Sequence, residues 1–118
     1  MSAPPLKILV PGIFAAELSQ KLKVPHTLKT IQDQSDSEIV KILSDTDILV
    51  SGEFKVAWRG DKKTASPRLV HSVGAGVDGI DMASLPSGCT VCNVYGHERG
   101  VAEHAFLLML ALQRSAAE

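Results

Sequence analysis

The chain lacks most of the features that mark a special class of protein. Its net charge is only −1, so no basic excess argues for a nucleic-acid partner. No apolar run reaches the ~18 residues of a membrane span. The opening Met1-Ser2-Ala3-Pro4-Pro5 has no charged segment followed by an apolar one, so no secretory signal is read there and the cytoplasm is the expected compartment. No group of His, Cys, Asp or Glu has metal-ligand spacing, no serine stands in a nucleophile elbow, and no internal repeat is found. Cysteine is scarce: Cys89 and Cys92 spell C-x-x-C. They fall in the β-branched run "CTVCNV", which reads as strand. On a strand, positions i and i+3 face opposite sides, ~10 Å apart, and that distance excludes a disulfide.

What is present is a globular composition, 45% hydrophobic and 21% charged over 118 residues, enough for one small domain with a real core. Short apolar runs alternate with amphipathic stretches. "LKILV" (6–10) reads as a first strand, ended by Pro11-Gly12. Phe14, Leu18 and Leu22 recur at helical spacing. "HTLKT" (26–30) reads as a second, more exposed strand. Ser35 and Glu38 form a capping-box pattern before a stripe of Ile39, Val40, Ile42 and Leu43. "DILVSG", "RLVHSVGAG" and "CTVCNV" supply three further strands, and "VAEHAFLLMLALQR" (101–114) a last helix. Such alternation predicts parallel βαβ units in an α/β fold. The expected architecture is a doubly wound, five-stranded parallel sheet in a three-layer sandwich, with flavodoxin-like order 2-1-3-4-5. Residues 53–67, where Lys55, Arg59, Lys62 and Lys63 surround Trp58, read as a solvated loop with a short helix, or else as a flap over an anion.

"GAGVDG" (74–79) has the G-x-G-x-x-G spacing of a dinucleotide loop, but its context is wrong. Such a loop follows the first strand and opens a long helix whose N-terminus holds the pyrophosphate. Here it follows the fourth strand, and Pro86 and Gly88 limit the next helix to two turns. The next strand ends at Asn93, not at an acidic residue that would bind ribose. Two readings remain. In one, main-chain N–H groups exposed at the carboxyl end of a parallel strand bind a small anion such as a carboxylate. In the other, the glycines serve a turn that needs positive φ.

The stretch "RLVHSVGAGVDGIDMASLPSGCTVCNVYGHERGVAEHAFLLMLALQR" (68–114) resembles the amino-terminal, substrate-binding part of the D-isomer-specific 2-hydroxyacid dehydrogenases. The family pattern runs G-A-G-V-D-x-I-D, then G-x-x-V-x-N, then V-A-E-H opening a helix, and all are present in order. Over 1–67 the likeness is one of pattern only. The resemblance implies that Ala75 and Gly76, flanked by Gly74 and Val77, donate main-chain N–H groups to a substrate carboxylate. It implies that Gly52, after the third strand, lines the same cleft and that Val101 lies near the cofactor.

It also implies a division at residue 100: a substrate-binding domain over 1–100 and a hinge helix over 101–118. NAD or NADP, with the catalytic Arg, Glu and His, would belong to a nucleotide-binding domain that follows Glu118. The chain is therefore read as truncated, with no catalytic residue of its own and no cofactor expected to bind it. Its expected ligand is a small 2-hydroxy or 2-oxo acid, bound weakly or not at all by this chain alone. "VYGHERG" departs from the family's usual turn, which leaves Tyr95, His97 and Glu98 without an assigned role. The alternative is a free-standing flavodoxin-like binding module without catalysis, although "PGIFAAEL" lacks the phosphate loop of a flavin site.

Other tempting residues read as structural. Glu103 and His104 are adjacent on a helix and point about 100° apart. His71 alternates within a strand as a packed histidine, and His26 reads as a surface residue. Ala105–Leu112 is apolar at every position, and a helix apolar all round has to be covered on more than one side. Self-association through helix 101–114 is therefore expected, either with the helix folded onto its own sheet or with exchange of the segment between two chains.

Overall fold

Within residues 6–11, Ile8, Leu9 and Val10 are apolar at neighbouring positions, as a strand buried on both faces requires. In the computed structural model, which describes residues 4–60 and 66–114, this segment is β1 (Leu6–Pro11). It pairs in parallel with β2 (His26–Ile31) on one side and with β3 (Ile48–Val50) on the other. β4 (Leu69–His71) and β5 (Thr90–Cys92) continue the sheet beyond β3. All five strands are parallel and the order is β2-β1-β3-β4-β5. This is the flavodoxin-like α/β arrangement that the alternation of segments predicts.

α1 (Gly12–Lys21) and α2 (Asp36–Leu43) make the first two crossovers, and α3 (Glu98–Gln113) follows β5. α2 begins where its sequence requires: the Ser35 hydroxyl accepts a hydrogen bond from the Glu38 N–H at 3.3 Å, Asp36 and Glu38 occupy the first turn and Lys41 the last, matching the helix dipole. Ile39 and Leu43 then face inward. The amino ends of three strands meet at Asp47. Its carboxylate accepts from Lys7 N–H at 2.9 Å, and its carbonyl accepts from Arg68 N–H at 2.9 Å.

The core lies on one face of the sheet. Leu9, Leu49 and Val70, from three adjacent strands, are fully buried against Ile39, Leu43, Phe54, Trp58 and Ile80. Trp58 and Phe54 correct the expectation of a solvated loop at 53–60. Both rings are buried and meet edge to face with centroids 5.9 Å apart. A 3-10 turn at Val56–Trp58 turns the indole inward, its N–H donates to Asp36 at 2.9 Å, and Lys55 lies over the ring at 5.4 Å. Lys62 and Lys63 lie outside the described residues.

The opposite face is covered only in part. α1 packs on β1 and β2, yet none of its residues is buried, so the Phe14–Leu18–Leu22 face is only half covered. α3 begins at Glu98, three residues before the expected start, and it too buries no residue. It does not fold onto its own sheet. The radius of gyration is 17.9 Å with a long axis of 58 Å, against roughly 13–14 Å for a compact chain of this length. Among the described residues no helix is long and apolar enough to cross a membrane.

Trp58→Ala is expected to cost about 3–5 kcal/mol, a large fraction of the stability of so small a domain. Val56→Ala, at a side chain 66% exposed, should stay within about 0.5 kcal/mol of the parent. Urea denaturation followed by far-UV circular dichroism checks this; equal midpoints for the two variants would return residues 53–60 to the solvent.

Candidate functional site

The carboxyl ends of β3, β4 and β5 are joined by main-chain hydrogen bonds and by two short polar side chains. Ser51 N–H donates to His71 carbonyl at 3.1 Å, Ser72 N–H to Cys92 carbonyl at 2.8 Å, and Val94 N–H to Gly74 carbonyl at 3.2 Å. The buried Ser72 hydroxyl spans the base of the glycine loop. It donates to Gly76 carbonyl at 2.9 Å and accepts from Gly74 N–H at 3.3 Å. Asn93, just past β5, donates its side-chain amide to Ala75 carbonyl at 2.8 Å. The carbonyls of Gly74, Ala75 and Gly76 are thus all held by residues just past β4 and β5. The N–H groups of Ala75, Gly76 and Val77 donate to no other described residue. They stand at the carboxyl edge of the sheet, where open α/β folds bind ligands.

The three glycines of the loop have different reasons to be glycine. None of them has positive φ, which among the described residues occurs only at Gly88 and Gly96. The reading of a turn chosen for positive φ is therefore overturned for 74–79. Gly79 is required by close approach: a Cβ there would lie 2.5 Å from the Gly52 carbonyl oxygen. That approach lets Phe54 N–H donate to Gly79 carbonyl and Asp81 N–H to Phe54 carbonyl, both at 2.9 Å, which anchors Phe54 in the core. A Cβ on Gly74 or Gly76 would meet nothing within 4 Å. The chain itself makes no steric demand for glycine at either position, and the backbone there is open to an external group.

Gly52 joins this cluster, beside Gly79 and with Val73 Cγ2 3.5 Å from the place of a Cβ. The structure therefore brings Gly52, Gly74, Ala75, Gly76 and Val77 to one edge of the sheet. Val101 stands apart from that cluster in kind: it is an exposed residue of α3. Tyr95 and His97 lie exposed on the link into α3, and Glu98, the exposed first residue of that helix, accepts from Gly96 N–H at 3.1 Å. Glu103 is paired with Arg99 at 3.2 Å. His71 has its Nδ1 2.8 Å from the Ser72 carbonyl, and His26 has its Nδ1 2.8 Å from the Val24 carbonyl.

The dinucleotide reading has no support in the geometry. After Gly79 comes a single 3-10 turn at Met82–Ser84, not a helix able to hold a pyrophosphate. At the first βα turn α1 starts from Pro11 with no side-chain cap. These residues do not fit NAD, NADP or a flavin. Both cysteines are free. Cys89 packs against the core, and burial pushes its thiol up, opposed by a backbone hydrogen bond at Val70, so it is a poor nucleophile. Among the described residues no cluster of three metal-ligating side chains occurs. Ser72 and Asn93 are the members of this site that pattern reading did not single out. Each is a short polar side chain directly past a strand, and Asn93 also ends the G-x-x-V-x-N pattern. Comparisons with known protein families, curated proteins and solved structures return no match to this chain.

Gly79→Ala is expected to destabilise by about 1–3 kcal/mol, since a backbone carbonyl has to move. Gly76→Ala should be neutral or stabilising by up to about 1 kcal/mol. Asn93→Ala, which leaves the Ala75 carbonyl unpaired, should cost about 1 kcal/mol. Urea titrations rank the three; a Gly76→Ala variant as damaged as Gly79→Ala would contradict this division of roles.

Proposed function

We propose that the 74–77 loop, with Gly52 beside it, binds the carboxylate of a small 2-hydroxy or 2-oxo acid. The observation that carries this is the set of N–H groups at Ala75, Gly76 and Val77 that have no partner among the described residues, on a loop whose carbonyls are tied down by Ser72 and Asn93. Donors fixed before the ligand arrives lose little freedom on binding, and N–H groups at a carboxylate make stronger bonds than between neutral partners. The open space over Gly74 and Gly76 admits the ligand to main-chain distance.

The resemblance of residues 68–114 to the D-2-hydroxyacid dehydrogenases supports the choice of ligand. On that reading the chain is the substrate-binding part of an NAD- or NADP-dependent oxidoreductase of the cytoplasm. The enzyme would transfer hydride between cofactor and the C2 carbon of the acid. Since residues 74–79 do not fit a dinucleotide, a separate nucleotide-binding unit would hold the cofactor and the catalytic side chains. The role of this chain is then to grip and orient the acid. Val101 would lie near the cofactor only in the presence of that unit.

Titration of glyoxylate or glycolate into isotope-labelled protein should shift the amide resonances of Gly52 and Gly74–Val77 first, with a Kd on the order of 1–10 mM. Gly76→Ala should weaken binding about tenfold while leaving the fold intact. The pure chain should not oxidise NADH in the presence of glyoxylate or hydroxypyruvate. Shifts centred elsewhere, or turnover of NADH, would overturn the assignment.

A further inference from the structure

Peptide units beside glycine rotate easily, because φ at glycine is little restricted. The loop has two such glycines, Gly74 and Gly76, with open space where a Cβ would stand. Their own packing therefore does not decide which end of each peptide a ligand meets. Three contacts decide it, one for each peptide unit. Val94 N–H donates to the Gly74 carbonyl at 3.2 Å, the Asn93 side-chain amide to the Ala75 carbonyl at 2.8 Å, and the Ser72 hydroxyl to the Gly76 carbonyl at 2.9 Å.

The C=O of one residue and the N–H of the next lie in one planar unit and point in opposite directions when that unit is trans. Among the described residues the only cis peptide is Ser66–Pro67. Each anchored carbonyl therefore turns one N–H away from its anchor. Val94 sets the direction of Ala75 N–H, Asn93 that of Gly76 N–H, and Ser72 that of Val77 N–H. These are the N–H groups that have no partner among the described residues.

We propose that Asn93 and Ser72 are positioning residues, Asn93 aiming Gly76 N–H and Ser72 aiming Val77 N–H, and that together they fix the polarity of the loop. With this polarity the loop presents donors only, so it accepts an anion and rejects the neutral amide of the same shape. The choice of a carboxylate as that anion rests on the function proposed above; the direction of the peptides does not. Both side chains suit the task. The Asn93 amide nitrogen donates and cannot accept, so it holds a carbonyl and not an N–H. The Ser72 hydroxyl accepts from Gly74 N–H at 3.3 Å, which leaves its one proton for the Gly76 carbonyl. At 1% exposure it is shut off from water that would compete for that proton. A reversed peptide would bring a carbonyl oxygen to the ligand, and two oxygens repel.

Residual dipolar couplings of the backbone amides, measured on the whole chain without ligand, report the direction of each N–H bond. Asn93→Ala should change the coupling of Gly76 and leave that of Val77. Ser72→Ala should do the reverse, and both should leave the couplings of β1 and β2 as in the parent. Each variant should also weaken glycolate about tenfold or more, the loss of one hydrogen bond to a charged group. The parent should bind glycolate at least about tenfold more tightly than glycolamide. If Ser72→Ala does not fold, the exposed-edge variant Asn93→Ala decides. Couplings of Gly76 and Val77 that stay unchanged, or that move together in one variant, overturn the proposal. So does equal binding of glycolate and glycolamide. A parent that binds neither compound, with the couplings shifting one at a time, upholds the positioning roles and overturns the carboxylate reading alone.

Discussion

Everything in this fold depends on covering a parallel sheet. Its strands pair side by side through their main chains, and their side chains alternate between two faces that both need an apolar lid. One face has its lid. Leu9, Leu49 and Val70 lie under α2 and the segment from Phe54 to Trp58. The other has half of one, because α1 spans β1 and β2 and stops there. Three facts follow from this inequality. The core sits to one side of the sheet, α1 stays half exposed although its apolar residues recur at helical spacing, and a slot remains over β3 and β4. An exposed apolar helix and an uncovered apolar slot in one small chain are two sides of the same unmet requirement.

The site is a consequence of the same sheet. Parallel strands end together, so the loops after β3, β4 and β5 meet at one edge, and short polar residues there bind neighbouring backbone. Ser72 and Asn93 hold carbonyls of the glycine loop from beneath. The N–H groups of Ala75, Gly76 and Val77 are left without a partner among the described residues. Glycine then serves two needs within six residues. Gly79 lets two backbones approach, at the Gly52 carbonyl, while Gly74 and Gly76 meet no neighbour at all. A spacing that imitates a dinucleotide motif thus arises from one packing glycine and two open ones.

Periodicity made the strands and α2 legible in the sequence, since burial on two faces or one stripe writes a regular pattern. Strand order followed from the alternation of elements and short connections. The segment 53–60 was not legible: Lys55 and Arg59 beside Trp58 look like a solvated stretch, and only the tertiary contact with Asp36 and Phe54 shows that the indole is inside. Pattern reading placed the start of α3 at Val101, but Glu98, Arg99 and Gly100 already lie in the helix; a glycine and two charges gave no start signal. In the loop, the residues whose N–H groups have no partner among the described residues were named from the family resemblance. Of the side chains that hold its carbonyls, Ser72 is four residues from Gly76, while Asn93 is eighteen from Ala75, and only the fold shows that the two converge.

The slot and the loop share residues. Ser72, Val73 and Val94 line the slot at its upper end, and the same Ser72 hydroxyl holds Gly76 while Val94 N–H holds Gly74. The turn after β4 therefore serves both features. It sends the buried Ser72 to the glycine loop and leaves Val73, 43% exposed, on the uncovered face. A hydrogen bond in a site poor in water is stronger than an exposed one, so the burial of Ser72 helps to hold the Gly76 carbonyl in place. The requirement that a parallel sheet be covered on both faces thus reaches, through one buried serine, to the loop at its carboxyl edge.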